Sequence, residues 1–190
     1  MPAGWVTADA IYGGSPALRG WLEARRLPFV LAVKCTEPLP PTCGPSAPAA
    51  RLAERIRPEC WLRLSAGQGA KGRRWYAWSC LALSTADVPD GWQRWLLVRR
   101  SLTSGELAYY LCAGPAGLPL VALVRVAGAR WRVVESFQAG KRLCGLDRHQ
   151  VRRWHSWYRW VTLAMLAYPF LVVASVTEHS RHPAPPGRSG

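Results

Sequence analysis

Trp5-Val-Thr-Ala-Asp-Ala-Ile-Tyr-Gly-Gly-Ser-Pro-Ala-Leu-Arg-Gly-Trp-Leu-Glu-Ala-Arg-Arg-Leu-Pro-Phe-Val-Leu-Ala-Val33 is the stretch on which the fold turns. Its opening, Trp5–Ala10, reads as a strand. Ser15-Pro16 then sets a cap residue and an N1 proline ahead of a helix that runs to about Arg26. Pro28–Val33 is a continuous apolar run, the pattern of a strand buried on both faces. Strand, helix and strand with short links form a βαβ unit, and so a pair of parallel strands. The expected class is α/β.

Outward from this unit the chain changes character. From Cys35 to about Ala50 it is Pro-rich and irregular, and a short helix is expected over Arg51–Arg57. Ser65–Arg74 reads as a Gly-rich basic loop. Three strand-like runs follow at Trp75–Leu83, Trp95–Arg99 and Leu107–Ala113, separated by Pro89-Asp90-Gly91 and Ser104-Gly105. Residues 35–115 are therefore expected to be a β-rich, antiparallel insertion. Beyond Pro119 the period becomes helical, with Leu120, Leu123, Val124, Ala127, Trp131, Val134 and Gln138 on one stripe. A second helix is expected from near Gln150, buried along Trp160–Val176. The tail Arg181–Gly190 has the Pro/Gly/Arg composition of a disordered segment.

The chain has 190 residues, 49% of them hydrophobic, which is enough for one domain with a real core. Its 25 Lys and Arg against 11 Asp and Glu leave a formal net charge of +14, a field that favours a polyanion such as nucleic acid. The six cysteines contain no C-x-x-C pair, which argues against a structural zinc site. The N-terminus has neither the basic nor the apolar region of a signal peptide, so the expected compartment is the cytoplasm, with reduced thiols. Trp160 to Val176 carries no charge but includes Thr162, Pro169 and Ser175, and a membrane span is not expected.

Asp9 is the acid of interest: it ends a strand, with Gly13-Gly14 just beyond, where open α/β sheets place ligands. The residue types alone also fit a plain turn contact there. Gly145-Leu-Asp-Arg-His-Gln-Val-Arg-Arg-Trp154 interleaves basic and aromatic side chains, a mixture suited to phosphates and unstacked bases. The Gly67–Arg74 run could cradle a phosphate through backbone N–H groups, but it lacks the Gly-Lys-Ser/Thr ending of a P-loop and no helix clearly follows, so a basic hairpin loop touching DNA is the more modest expectation.

Trp-Val-Thr-Ala-Asp-x-x-Tyr-Gly-Gly around Asp9 and Arg130-Trp-Arg-Val-Val-Glu-Ser-Phe-Gln-Ala-Gly-Lys141 together resemble the second and third acidic segments of insertion-sequence transposases of the DDE superfamily. The resemblance runs from Trp5 to about Val176. It implies a C-terminal, truncated ribonuclease-H-like core spanning residues 1–180, followed by C-terminal helices. It further implies DNA as partner, no small-molecule substrate, and a family chemistry in which carboxylates hold two Mg²⁺ ions for DNA cleavage and strand transfer.

By the same resemblance Asp9 is the second catalytic Asp and a metal ligand. Glu135 matches the second acid of the family's Glu-Glu-x-Phe-Gln segment. The position of the catalytic Glu is Val134 here. On a helical wheel Arg130, Val134, Phe137 and Lys141 fall within about 60° of one another, and Glu135 points about 100° from Val134. Arg130, Lys141, Arg148, Arg152 and Arg153 are the expected DNA contacts. The first catalytic Asp has no counterpart in the chain. The expectation is an inactive transposase fragment that binds DNA, with self-association through an open edge of the first strand. The alternative is a non-catalytic basic protein that binds nucleic acid or another partner.

Overall fold

A computed structural model describes residues 4–69, 72–150 and 153–181. The chain divides into two compact units, Met1–Arg132 and Val133–Gly190.

The first unit opens with β1 (Val6–Ala8), the short helix α1 (Ala10–Gly13), α2 (Pro16–Ala24) and β2 (Phe29–Val33). β1 and β2 pair in parallel, with Val6 opposite Phe29 and Ala8 opposite Leu31, as the βαβ reading requires. Ser15 caps α2 by accepting the Leu18 N–H, and Pro16 stands at the helix start, where its missing N–H costs nothing. A two-stranded ribbon, β3 (Pro38–Leu39) with β4 (Ala47–Pro48), leads into α3 (Ala49–Ala53). The helix expected over Arg51–Arg57 thus begins and ends earlier.

Four longer strands follow: β5 (Leu62–Gly69), β6 (Gly72–Ala82), β7 (Trp92–Ser101) and β8 (Leu107–Pro115). They belong to the same curled mixed sheet as β1 and β2, in the order β1-β2-β8-β7-β6-β5. β8 lies antiparallel beside β2, so segment 35–115 extends the sheet. The loop expected at Ser65–Arg74 is corrected: its described residues form the ends of β5 and β6, paired as Gln68 with Arg73 and Gly69 with Gly72. Glycine suits this place because Gly67 and Gly72 adopt φ of 104° and 102°, and a bulge falls between Ser65 and Gln68. β1 ends the sheet, with β2 its one ladder neighbour among the described residues.

Alternation along the strands sends side chains to two covered faces. Phe29, Leu31, Leu96, Val98 and Leu111 pack with Leu22 of α2 and with Ala49 and Leu52 of α3. Val30, Trp78, Leu97, Tyr110 and Cys112 meet Leu123, Val124 and Ala127 of α4 (Leu120–Cys144). A sheet between helices is the layered solution that buries both its faces. Burying one such Leu contributes about 1.5–3 kcal/mol. Helix α2 is also tied to β7 by a buried pair, Arg94 donating to both Glu23 carboxylate oxygens at 2.7 and 2.6 Å. That pairing raises the Arg94 pKa against the opposing effect of burial. Removing one partner of such a pair typically costs about 3–5 kcal/mol.

The second unit contains the rest of α4, a turn with Gly145 at φ 62°, and α5 (Trp154–Arg181). Trp160 Nε1 donates to the Gly145 carbonyl, and Trp154 stacks on Trp157 with ring centroids 5.1 Å apart. Helix α5 starts four residues later than Gln150. The expectation of a buried terminal helix is corrected, since Ala164 is its one buried residue among those described. Its uncharged run from Trp160 to Val176 leaves Leu163, Met165, Leu166 and Phe170 exposed, while Leu143 and Cys144 share a cleft with Leu163, Ala164 and Leu171. Pro169 lies inside α5 without ending it, and Trp154–Ser175 is long and apolar enough to cross a membrane. The tail beyond Arg181 lies outside the described residues.

Candidate nucleic-acid interface

Asp9 follows the last residue of β1 and caps α1, its Oδ1 accepting the N–H groups of Ile11 at 3.0 Å and Tyr12 at 3.4 Å. An aspartate placed here satisfies helix donors that would otherwise have no partner. Gly13 is required for packing, because a Cβ there would stand 1.8 Å from the Ala32 carbonyl oxygen of β2. Helix α1 therefore lies flat against the carboxyl end of the parallel pair.

A cleft of about 360 Å³ opens at that end of β2, lined by Ala32, Val33 and Cys35 together with Arg99, Tyr109, Tyr110, Arg130 and Trp131. The structure thus places Arg130 beside the carboxyl end of one parallel strand and Asp9 at the carboxyl end of the other. Burial pushes the Tyr110 hydroxyl above its ordinary pKa, while the nearby Arg99 and Arg130 charges pull it down. No metal-ligating group of three or more His, Cys, Asp or Glu forms among the described residues. The donors present do not suit a pair of Mg²⁺ ions, which needs several converging carboxylates.

Arg130 belongs to a larger basic and aromatic band on the α4 side of the sheet. The Arg99 guanidinium lies 4.6 Å from the Tyr76 ring centre and 6.0 Å from that of Trp131, and the Arg74 guanidinium lies 5.6 Å from Trp131. Arg73, Arg74 and Arg125 line a second cleft, of about 470 Å³, between the β5–β6 hairpin and α4. Arg99 and Arg125 are not among the expected contacts, whereas Arg73 and Arg74 belong to the Gly67–Arg74 run that the sequence reads as a basic hairpin loop touching DNA. Arg99 was within reach of the sequence, since period-two alternation puts it on the face of Trp95 and Leu97. A cation on a core face signals a special environment.

The other expected contacts fall in the second unit. Lys141 and Arg148 share a cleft of about 660 Å³ with Gln138, Arg142, Asp147 and Gln150. Arg153 is exposed, and its carbonyl accepts the N–H groups of Ser156 and Trp157 at the start of α5. His149 packs against Trp160 and shares a hydrogen bond of 3.2 Å with the Ser156 hydroxyl. Glu135 is half-buried on α4. The backbone of Val134 is helical, and Arg152 lies outside the described residues.

Fold and surface together define a mixed α/β protein with arginine-lined clefts. The chain matches no protein-family model and no curated protein sequence.

Proposed function

We propose that this chain is a DDE-transposase-like fragment, with a partial ribonuclease-H-like core, that binds DNA without cutting it. The observation that carries this reading is the placement of Asp9 and Arg130 at the carboxyl ends of the adjacent parallel strands β1 and β2. Ligands in open α/β sheets bind at such strand ends. The motif residues Lys141 and Arg148, which share one cleft, add a basic surface of the kind that holds a phosphate backbone. The non-catalytic reading is supported by the donor set: among the described residues no group of three or more potential metal ligands forms, and Asp9 caps α1.

The test has two arms. Purified chain with Mg²⁺ or Mn²⁺ and end-labelled DNA should give no nicking. Reproducible nicking that disappears in Asp9→Ala would overturn the non-catalytic reading. Binding of a DNA duplex, titrated across salt, should give a clearly negative log–log slope. An undetectable or salt-independent interaction would overturn the DNA reading.

A further inference from the structure

The apolar run of α5 is uncovered around its circumference. Residues 160–177 carry no charged side chain. Within them Leu163, Met165, Leu166, Phe170, Leu171 and Val172 are all exposed. At 100° per residue these six project at roughly 0°, 200°, 300°, 340°, 80° and 180°, so no sector wider than about 100° lacks one. A helix held in the groove of a partner protein buries a single stripe, with i, i+3, i+4 and i+7 anchors. A helix lying in the plane of a membrane surface keeps one charged face. This run has neither arrangement. A hydrocarbon phase is the medium that covers apolar side chains on every side of a single helix.

The dimensions agree. The 18 residues rise about 27 Å, against a bilayer hydrocarbon core of about 30 Å. The residues that count against a span in the sequence are accommodated in the structure. Thr162 Oγ1 donates to the Tyr158 carbonyl at 2.8 Å, Ser175 Oγ to that of Val172 at 2.9 Å, and Thr177 Oγ1 to that of Val173 at 2.8 Å. Hydroxyls bonded within their own helix need no water. Tyr168, the remaining hydroxyl of the run, is half-buried. Pro169 leaves the helix continuous, and proline is more frequent in spanning helices than in soluble ones.

The two ends of the run differ. Trp154, Trp157, Tyr158 and Trp160 bring exposed rings together at the start of α5, and such rings concentrate at membrane–water interfaces. Arg148, Arg152, Arg153 and Arg159 stand in the twelve residues before the run, and Arg181 and Arg188 with Glu178 in the twelve after it. An excess of arginine beside a span marks its cytoplasmic end, where anionic headgroups also attract it.

We propose that α5 crosses a lipid bilayer through residues 160–177, with its arginine-flanked start on the cytoplasmic side. The first unit, which precedes the span in the chain, then lies in the compartment that holds nucleic acid. The span goes beyond the DNA reading and does not rest on it, because no expected DNA contact falls within the run.

The experiment expresses the full chain in bacteria, washes the sealed membranes at alkaline pH and floats them through sucrose. The chain should float with the membranes and be released by dodecyl maltoside. Leu166→Arg with Phe170→Arg should cut the floated share about 10-fold or more, because charges at the centre of a span are strongly disfavoured. Leu166→Ile with Phe170→Leu, which keeps the run apolar, should float like the unaltered chain. Chain purified in detergent should also float after transfer to vesicles of phosphatidylglycerol and phosphatidylethanolamine. In intact spheroplasts a membrane-impermeant maleimide should leave the exposed thiols of Cys35, Cys43 and Cys60 unlabelled, and lysis should open them to it.

Recovery of the unaltered chain in the unfloated fraction, as soluble protein or as aggregate, would overturn the span. Release by the alkaline wash would reduce it to surface attachment, and a soluble dimer would assign the cover of α5 to a second copy; either result overturns it too. Equal flotation of the double Arg variant would place the membrane contact elsewhere. Labelling in intact spheroplasts would overturn the orientation. Floated chain that fails to bind duplex DNA in detergent would overturn the DNA reading and leave the span intact, and DNA binding by a wholly soluble chain would do the reverse.

Discussion

In the first unit Trp78 is 1% exposed and Leu97 fully buried, whereas on α5 of the second unit Leu166 is 64% and Phe170 72% exposed. Both regions are rich in Trp, Leu and Val, so composition does not separate them. What separates them is geometry. A strand offers two faces, and the helices of the first unit cover both. A helix with an apolar run on every side can be covered only by being surrounded, and most of the described residues of α5 are exposed.

The largest expected effect tests that contrast directly. Leu97→Ala should destabilise the chain by about 2–5 kcal/mol through reduced burial and the cavity left behind. Leu166→Ala should change stability by no more than about 0.5 kcal/mol, as surface substitutions do. Urea melts of both variants measure the difference. Comparable losses would mean that α5 is covered in solution.

The next effect sharpens the contrast between glycines that permit close packing and one that does not. Gly13→Ala and Gly128→Ala would each drive a Cβ within 2 Å of a carbonyl oxygen, at 1.8 and 1.9 Å. Each should cost about 1–3 kcal/mol or more, because backbone must move. Gly20→Ala, in the exposed part of α2 with no atom within 4 Å, should stabilise by about 0.5–1 kcal/mol. A neutral Gly128→Ala would show that α4 is not seated on β5 as described.

The smallest effect concerns pH. Burial raises the Cys112 thiol well above its ordinary value of 9.0, with Cys80 adding to the rise. The folded state therefore keeps a proton that the unfolded state gives up. Its contribution is fully present below pH 9 and is lost as pH rises through the folded value. Stability should fall above about pH 9 by up to roughly 1.4 kcal/mol per pH unit from this group. Cys112→Ala should flatten that decline, whatever it does to stability at pH 7. An unaltered alkaline slope in the variant would place the burial elsewhere.

Legibility followed the range of the interaction. The βαβ unit could be read because its signals are local: an apolar run, a serine cap, a proline at the helix start. The strands β6, β7 and β8 were visible for the same reason. The strand ends within Ser65–Arg74 were hidden, because glycines that usually mark loops here serve a bulge and paired strand ends. Its strand character comes from the ladder with a partner strand, which no local pattern reports. In the candidate interface, Arg130 could be named from its motif. Arg73 and Arg74 could be named from the basic Gly67–Arg74 run, but their convergence with Arg125 could not, because Arg125 lies on a helix about fifty residues away in the chain.

The sequence by itself thus determined the element types, the parallel start of the sheet and the strongly basic surface, all properties of residues and their near neighbours. The tertiary structure decided that the antiparallel strands continue the same sheet, that Asp9 uses its carboxylate to cap α1, and that arginines distant in sequence share a cleft. These depend on which strand pairs with which and on how closely backbones approach, and both are settled by packing across the whole unit.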